Sequence, residues 1–500
     1  MVEPVFQKIN VTMPKEKKTE QIKVDCKTQV ASSEVSGILS LSPFVTAQVM
    51  DEVDGKVKYG GKIVFYISFT DTDGNIRKCE CGSEFAGDIS SPCENCRVSV
   101  TAVVEKAEAD TTGSFLSVGA IVGIVADMVT VEQADALIGG EELIVKEDEI
   151  NVLKPLGVRK ASYPIEHEFE VDYAVEEVLF HRADAVVTAA QCGVGTIIVD
   201  GEVLFASVLL QKNQKKDIIK ENVAVPFRFE IECEDAMPGM QAVARVKENS
   251  FKTDVAVDDE SAKSTVTVKA NLNFEGEAVL TQTVTVAEDA FSTEKEIETE
   301  CDVCRIVKAC ELRGYTLTVG GTASTGELPL GATVLSTCCE KVTVTDFSVK
   351  EAGVCVLGVL TVTVLLKDGD GRVFSRRAET AFEKLLEAEF NSQTVVSVTA
   401  KAVKSSARII SAEDLDISAE VRFTVYPQEK IERKFVKSVK VLGDKKKCDA
   451  AISVYIPTEG EELWSLSKRL GVCPDTLVQT NKDLQFPLSG KERIVVYRRK

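Results

Sequence analysis

A mainly β chain, built from three tandem antiparallel, sandwich-like domains and closed by a small βααβ module, is what this 500-residue sequence predicts. Three observations carry that reading: a thrice-repeated strand and turn pattern anchored on glycines, enrichment of Val, Ile, Phe and Thr in alternating runs, and a change to helical spacing after Ala451. Length and composition agree, since 500 residues with 44% hydrophobic and 28% charged side chains suffice for several separate cores.

The repeat is anchored on Gly61, Gly201 and Gly358, which open GKIVFYISFTDTDGN, GEVLFASVLLQ and GVLTVTVLLKDGDGR. Four residues on, each copy is apolar (Phe65, Phe205, Val362), and eight residues on it is apolar again (Phe69, Leu209, Leu366). Copies one and three also share Asp71, Asp73 and Gly74 against Asp368, Asp370 and Gly371, and then Phe85 against Phe382. Copy two reaches Phe227 slightly later, so its hairpin loop is longer. Alternation at period two marks half-buried strands. Asp and Gly supply the reversal that an antiparallel hairpin needs. Further strands are expected at Val98–Val104, Ala242–Val246, Thr265–Leu272 and Val395–Val403.

Pro155 to Lys160 reads as a linker, and YPIEHEFEVDY from Tyr163 resembles FSTEKEIETEC from Phe291, where the next copies are expected to begin. The expected divisions are therefore 1–155, 160–289, 290–447, ending in the basic run Lys445 to Lys447, and 450–500. In the last segment Ile452, Val454 and Ile456 form an apolar strand, and Leu463, Leu466 and Leu470 recur at helical spacing. Gly471 stands at a left-handed helix cap, Pro474 in the first turn of a second helix, and Asn481 at its left-handed stop. ERIVVYR closes the module as a strand.

Charge and chemistry exclude several classes. Lys and Arg number 59 against 79 Asp and Glu, and the net charge of −20 repels phosphate backbones and anionic membranes. Nucleic acid is not an expected partner. No apolar run reaches the roughly 20 residues of a membrane span, and the N-terminus lacks a signal-peptide core, so a cytoplasmic location is expected. Fifteen scattered cysteines read as reduced thiols. With two histidines, His167 and His181, both expected to be solvated, no nucleophile and base arrangement is supported, and the chain is expected to be no enzyme and to hold no cofactor. Ala332 and Thr333 stand after Gly331 where a phosphate loop needs Lys and Ser or Thr. Asp-x-Asp-Gly in two copies reads as turn chemistry, since the later glutamate of a calcium loop is missing. One metal candidate is retained: Cys79 and Cys81 with Cys93 and Cys96, four thiols spaced as a zinc site would require.

The stretch from Tyr455 to Tyr497 resembles a LysM domain, with Gly460, Leu463, Trp464, Leu466, Leu470, Gly471, Val472, Leu477, Asn481, Leu484, Pro487, Leu488, Gly490, Ile494 and Val496 at the pattern positions. That resemblance implies binding of N-acetylglucosamine polymers, or of another macromolecule, in a groove lined by Gly460, Glu461, Glu462, Leu463, Trp464, Asn481, Lys482, Asp483, Leu484 and Pro487. Glu461 and Glu462 replace the usual Asp-Thr, which is expected to add negative charge to the groove edge. Trp464 is expected to pack beneath the groove. The module carries eight basic and six acidic residues, so the rest of the chain holds about −22. A mildly basic tip on an acidic body favours encounter with an acidic partner.

The repeated unit is similar to the SPOCS domain of spore-forming Firmicutes, and three such units followed by one LysM domain resemble the clostridial spore-coat morphogenetic proteins. What the resemblance implies is a non-enzymatic scaffold of coat assembly and encasement. It would bind the coat-organising sporulation ATPase through the LysM domain in the mother-cell cytoplasm and be recruited to the forespore surface. The alternative function is a LysM protein bound to peptidoglycan of cell wall or spore cortex.

Overall fold

The computed structural model describes residues 3–12, 16–30, 35–53, 55–90, 96–213, 216–258, 262–390, 394–445 and 451–497. The chain is mainly β, as its patterning predicts. The first set of strands is β1 (Glu3–Thr12), β2 (Glu16–Gln29), β3 (Val35–Val53), β4 (Lys56–Asp71), β5 (Ile76–Ser90), β6 (Cys96–Thr112) and β7 (Phe115–Glu141). The second is β8 (Ile144–Val171), β9 (Val175–Cys192), β10 (Thr196–Gln211), β11 (Ile218–Glu232), β12 (Gln241–Asp258) and β13 (Lys263–Phe291). The third is β14 (Lys295–Ala309), β15 (Arg313–Ser324), β16 (Thr333–Lys350), β17 (Gly353–Lys367), β18 (Val373–Glu387), β19 (Thr394–Ile409) and β20 (Asp414–Asp444).

Each set folds the same way. An antiparallel sheet of three strands (β3-β4-β5, β9-β10-β11, β16-β17-β18) faces a second one whose centre is a long strand, β7, β13 or β20. Alternating side chains of the facing sheets fill the space between them: Phe65, Phe69, Leu116 and Ile124 in the first set, Phe205, Leu209, Val266 and Phe274 in the second, Val362, Leu366, Ile417 and Phe423 in the third.

The anchor glycines have a steric cause. Gly61, Gly201 and Gly358 lie directly opposite Phe85, Phe227 and Phe382 in their sheets. A Cβ at any of the three would stand 2.4 Å from the Cζ of that phenylalanine. The ring therefore lies across bare backbone, and only glycine admits it. The turns obey the same economy: Asp71 Oδ1 accepts the Asp73 and Asn75 N–H groups at 3.1 and 2.8 Å, and Asp368 Oδ1 accepts those of Asp370 and Arg372 at 3.0 and 2.8 Å. Asp71 is further held by Arg77 at 2.9 Å, so its carboxylate is already satisfied within the hairpin.

One organisational expectation changes. Pro155 to Lys160, expected as a linker, lies inside β8, and so does Tyr163, the expected start of the second copy. The chain instead enters its second set at Ile144, after a tight turn in which Glu142 takes φ 60° and the Leu143 N–H reaches the Gly140 carbonyl at 3.3 Å. At the other expected boundary β13 does end, at Phe291.

The long strands explain how the sets join. Beyond its sandwich, β7 pairs with β1, β13 with the first half of β8, and β20 with β14. These three ribbons share one core: Ile9 and Ala136, Ile150, Val152, Val284 and Val286, Cys304 and Phe435. A second shared cluster joins Leu39, Phe180, Val208, Cys338 and Leu365. Between the three sets lies a cavity of about 2220 Å³ lined by β3 and β6, β9 and β12, and β16 and β19. Among the described residues, each of those strands pairs along one edge only. Cations from a neighbouring set cap carbonyls there, Lys247 on Val100 (2.9 Å), Lys341 on Val104 (2.7 Å) and Arg182 on both Glu340 and Ala402 (2.7 and 2.8 Å). This blocks the edge pairing that exposed strands invite.

Beyond Ala451 the order is β21 (Ile452–Tyr455), α1 (Leu463–Leu470), α2 (Pro474–Thr480) and β22 (Ile494–Tyr497), with β21 antiparallel to β22. No described helix is long and apolar enough to cross a membrane.

Candidate functional site

The C-terminal segment folds around its own core of Leu466, Leu470, Leu477, Leu488, Ile494 and Val496. Helical spacing places the α1 leucines inward, and Gly471 at φ 64° ends the helix with its N–H on Lys468 O, as a left-handed cap does. Lys468 and Arg469 lie in the last turn, where the helix dipole favours cations. Pro474 opens α2 as expected. Asn481 does not take the left-handed conformation: its φ is −124°. Its side chain instead ties α2 to β22, donating to Leu477 O (2.9 Å) and Val495 O (2.8 Å) and accepting the Val495 N–H (2.8 Å).

Nine of the ten residues expected to line a groove separate into three groups. Gly460, at φ 81°, and Glu461 meet the loop before β22: the Gly460 N–H donates to Leu488 O at 2.7 Å and the Leu488 N–H to Glu461 O at 3.0 Å. Glu462, Lys482, Asp483 and Pro487 are exposed. Leu463 and Leu484 pack against the core, and Asn481 is taken up as described. The charge that Glu461 adds is paired within the module. Its side chain is 7% exposed and forms a two-pronged pair with Arg469 (2.9 and 2.8 Å) while accepting the Thr458 N–H at 3.1 Å. Burial opposes ionisation, but these bonds outweigh it and hold the carboxyl below the ordinary range.

Trp464 leaves the expected site. It lies on a second face of α1, one turn from Lys468, and that face rests on the end of β13. Its indole N–H donates to Asp289 Oδ2 at 2.9 Å, and the Lys468 ammonium reaches both Asp289 oxygens at 2.6 and 2.8 Å. The indole meets Phe291 edge to face with ring centres 5.2 Å apart. Lys445 completes the contact, donating to Ser292 O at 2.7 Å beside the same ring. Asp289 carries no sequence motif and Phe291 stands out only as the start of the third copy; the available signal was a tryptophan standing off the leucine stripe of its helix.

The strand expected to be apolar is so on its outer side. Ile452 and Val454 of β21 are 58% and 59% exposed and share their face with Tyr497, Ile456 just beyond the strand is 71% exposed, and Tyr455 turns toward the core. The basic tip extends to Arg498, Arg499 and Lys500, which lie outside the described residues.

The thiol candidate is divided. Cys79 and Cys81 are half-buried on β5 against Cys26 of β2. Burial, with the Cys26 thiol beside them, pushes Cys79 up to about 11 and Cys81 up to about 12, so both keep their protons at neutral pH. Cys93 and the Cys96 side chain lie outside the described residues. Among the described residues no group of three or more His, Cys, Asp and Glu is arranged to hold a metal. His181, expected to be solvated, is packed edge-on against Tyr66 (4.7 Å) and Phe251 (4.9 Å) where the first and second sets meet. Burial there lowers it to about 4.

Comparison of the chain with known protein families, curated proteins and solved structures gives no match.

Proposed function

We propose that this chain is a non-enzymatic assembly factor of the bacterial spore coat, with three SPOCS-like domains forming a body that presents a LysM-like module to the coat-organising sporulation ATPase. The observation that carries this reading is the fate of the groove's polar side chains. Glu461 is taken up by Arg469 and Thr458, and Asn481 by α2 and β22, whereas a sugar-binding groove needs such groups free to meet hydroxyls. The module instead offers exposed apolar side chains, Ile452 and Val454 of β21, Ile456 just beyond it and Tyr497 of β22, suited to a protein surface. The place of action is the mother-cell side of the forespore.

The test is capture of the purified ATPase and of peptidoglycan by the full chain and by a chain ending at Lys445. Capture of the ATPase by the full chain alone is the expected result. Equal capture by the shortened chain, or retention on peptidoglycan without ATPase binding, overturns the proposal.

A further inference from the structure

The contact between α1 and the body has a specific chemistry. Along β13, Asp289 and Phe291 are two residues apart, so their side chains share one face of the strand. On α1, Trp464 and Lys468 are four residues apart and share one face of the helix. The carboxylate receives an indole N–H and an ammonium, and the phenyl ring receives an indole edge. Among the described residues the module's core draws none from the body, so α1 carries its docking face as a self-contained piece.

We infer that the Trp464–Lys468 face of α1 is a recognition surface occupied in cis by Asp289 and Phe291, and that the protein partner displaces them with an extended segment bearing an acidic residue and, two residues on, an aromatic one. This rests on the protein-binding reading of the module and specifies its partner. A cis occupant competes at the millimolar effective concentration of a tethered segment, so binding in trans is weak until the latch opens or the partner adds contacts elsewhere. The exposed side chains of Ile452, Val454 and Ile456 are available for such added contacts.

Trp464 is the only tryptophan, so its fluorescence reports this surface alone. The probe is a peptide of residues 285–293, TVAEDAFST, titrated into the full-length Asp289→Asn/Phe291→Ala protein. The emptied latch is expected to red-shift Trp464 and raise its iodide quenching about twofold or more, and the peptide is expected to reverse both saturably. A peptide with Asn and Ala at the two positions should not, and the wild-type protein should need at least about tenfold more peptide. Absence of any saturable reversal, or equal reversal by the control peptide, overturns the inference. Should the double variant fail to fold by circular dichroism, Asp289→Asn alone is titrated against the same criteria. The ATPase plays no part in this titration: capture of the ATPase with a failed titration sinks the inference alone, and a successful titration without ATPase capture sinks the functional reading alone.

Discussion

The seam between the second and third sets of strands and the contact between α1 and β13 both join cations to carboxylates, yet they are built to opposite ends. In the seam, the fully buried Glu340 side chain is held by Arg182 at 3.2 Å, by Lys220 and by the Ser405 hydroxyl, while Asp184 pairs with Arg182 at 2.8 Å and Lys401 at 2.7 Å. Five charged groups from both sets satisfy one another, and the loss of any one leaves a buried partner short of a bond. At α1 one half-buried carboxylate meets one indole N–H and one ammonium whose side chain is 42% exposed. The comparison teaches that charge pairing fixes an interface when the pairs are interlocked and buried, and makes a releasable one when a single pair stands at the rim.

Breaking the seam has the largest expected effect. Arg182→Met removes the cation that Glu340 and Asp184 share, leaving each with one lysine, and should lower unfolding stability by about 3 kcal/mol, read as a shift of the urea midpoint. Next is the His181 site between the first and second sets, where burial lowers the imidazole from 6.5 to about 4, with Lys78 adding to the shift and Asp254 opposing it. The unfolded chain takes up this proton near pH 6.5 and the folded chain does not until about 4. Stability is therefore complete above pH 6.5 and falls by up to about 3 kcal/mol as pH drops toward 4. His181→Phe, which keeps the aromatic packing, should flatten that slope in a series of urea melts. A smaller effect is expected at the repeat anchors: a Cβ at Gly358 meets Phe382 Cζ at 2.4 Å and Thr343 O at 2.7 Å, so Gly358→Ala should cost about 1–3 kcal/mol.

The repeat was legible because its signal is local to a hairpin. A glycine opposite a phenylalanine, at a spacing fixed by turn length, writes sheet register directly into sequence, and the three copies repeat it. The continuity of β8 was not legible, because Pro155 and Gly157 are residues that usually end a strand. Here the register shifts between Glu277 and Val279 beside Pro155, and Gly157 takes φ 94°, so the chain kinks within the sheet instead of leaving it. His181 stands among charged neighbours in sequence, but the pleat turns it toward Tyr66 of another set. The core of the C-terminal module was read from leucine spacing, and α1 and α2 form where that spacing lies. What local pattern could not supply was the partner of Trp464, which lies 175 residues away along the chain. Internal consumption of Glu461 and Asn481 was hidden for the same reason: residue type announces a polar group, and only the fold shows what already satisfies it.

The smallest expected change in stability, and the most direct test of the account, is at Asp289. Hydrogen bonds from Lys468 and Trp464 outweigh the burial that would raise this carboxyl and hold it below the ordinary range. The latch should be complete above that range and be lost as pH falls through it. The measurement is Trp464 emission of full-length wild type and Asp289→Asn from pH 7 to pH 2. The wild type is expected to emit from a shielded indole at pH 7 and to shift red as the carboxyl protonates, while the variant is already red at pH 7. Identical emission from the two proteins at pH 7 would contradict the account.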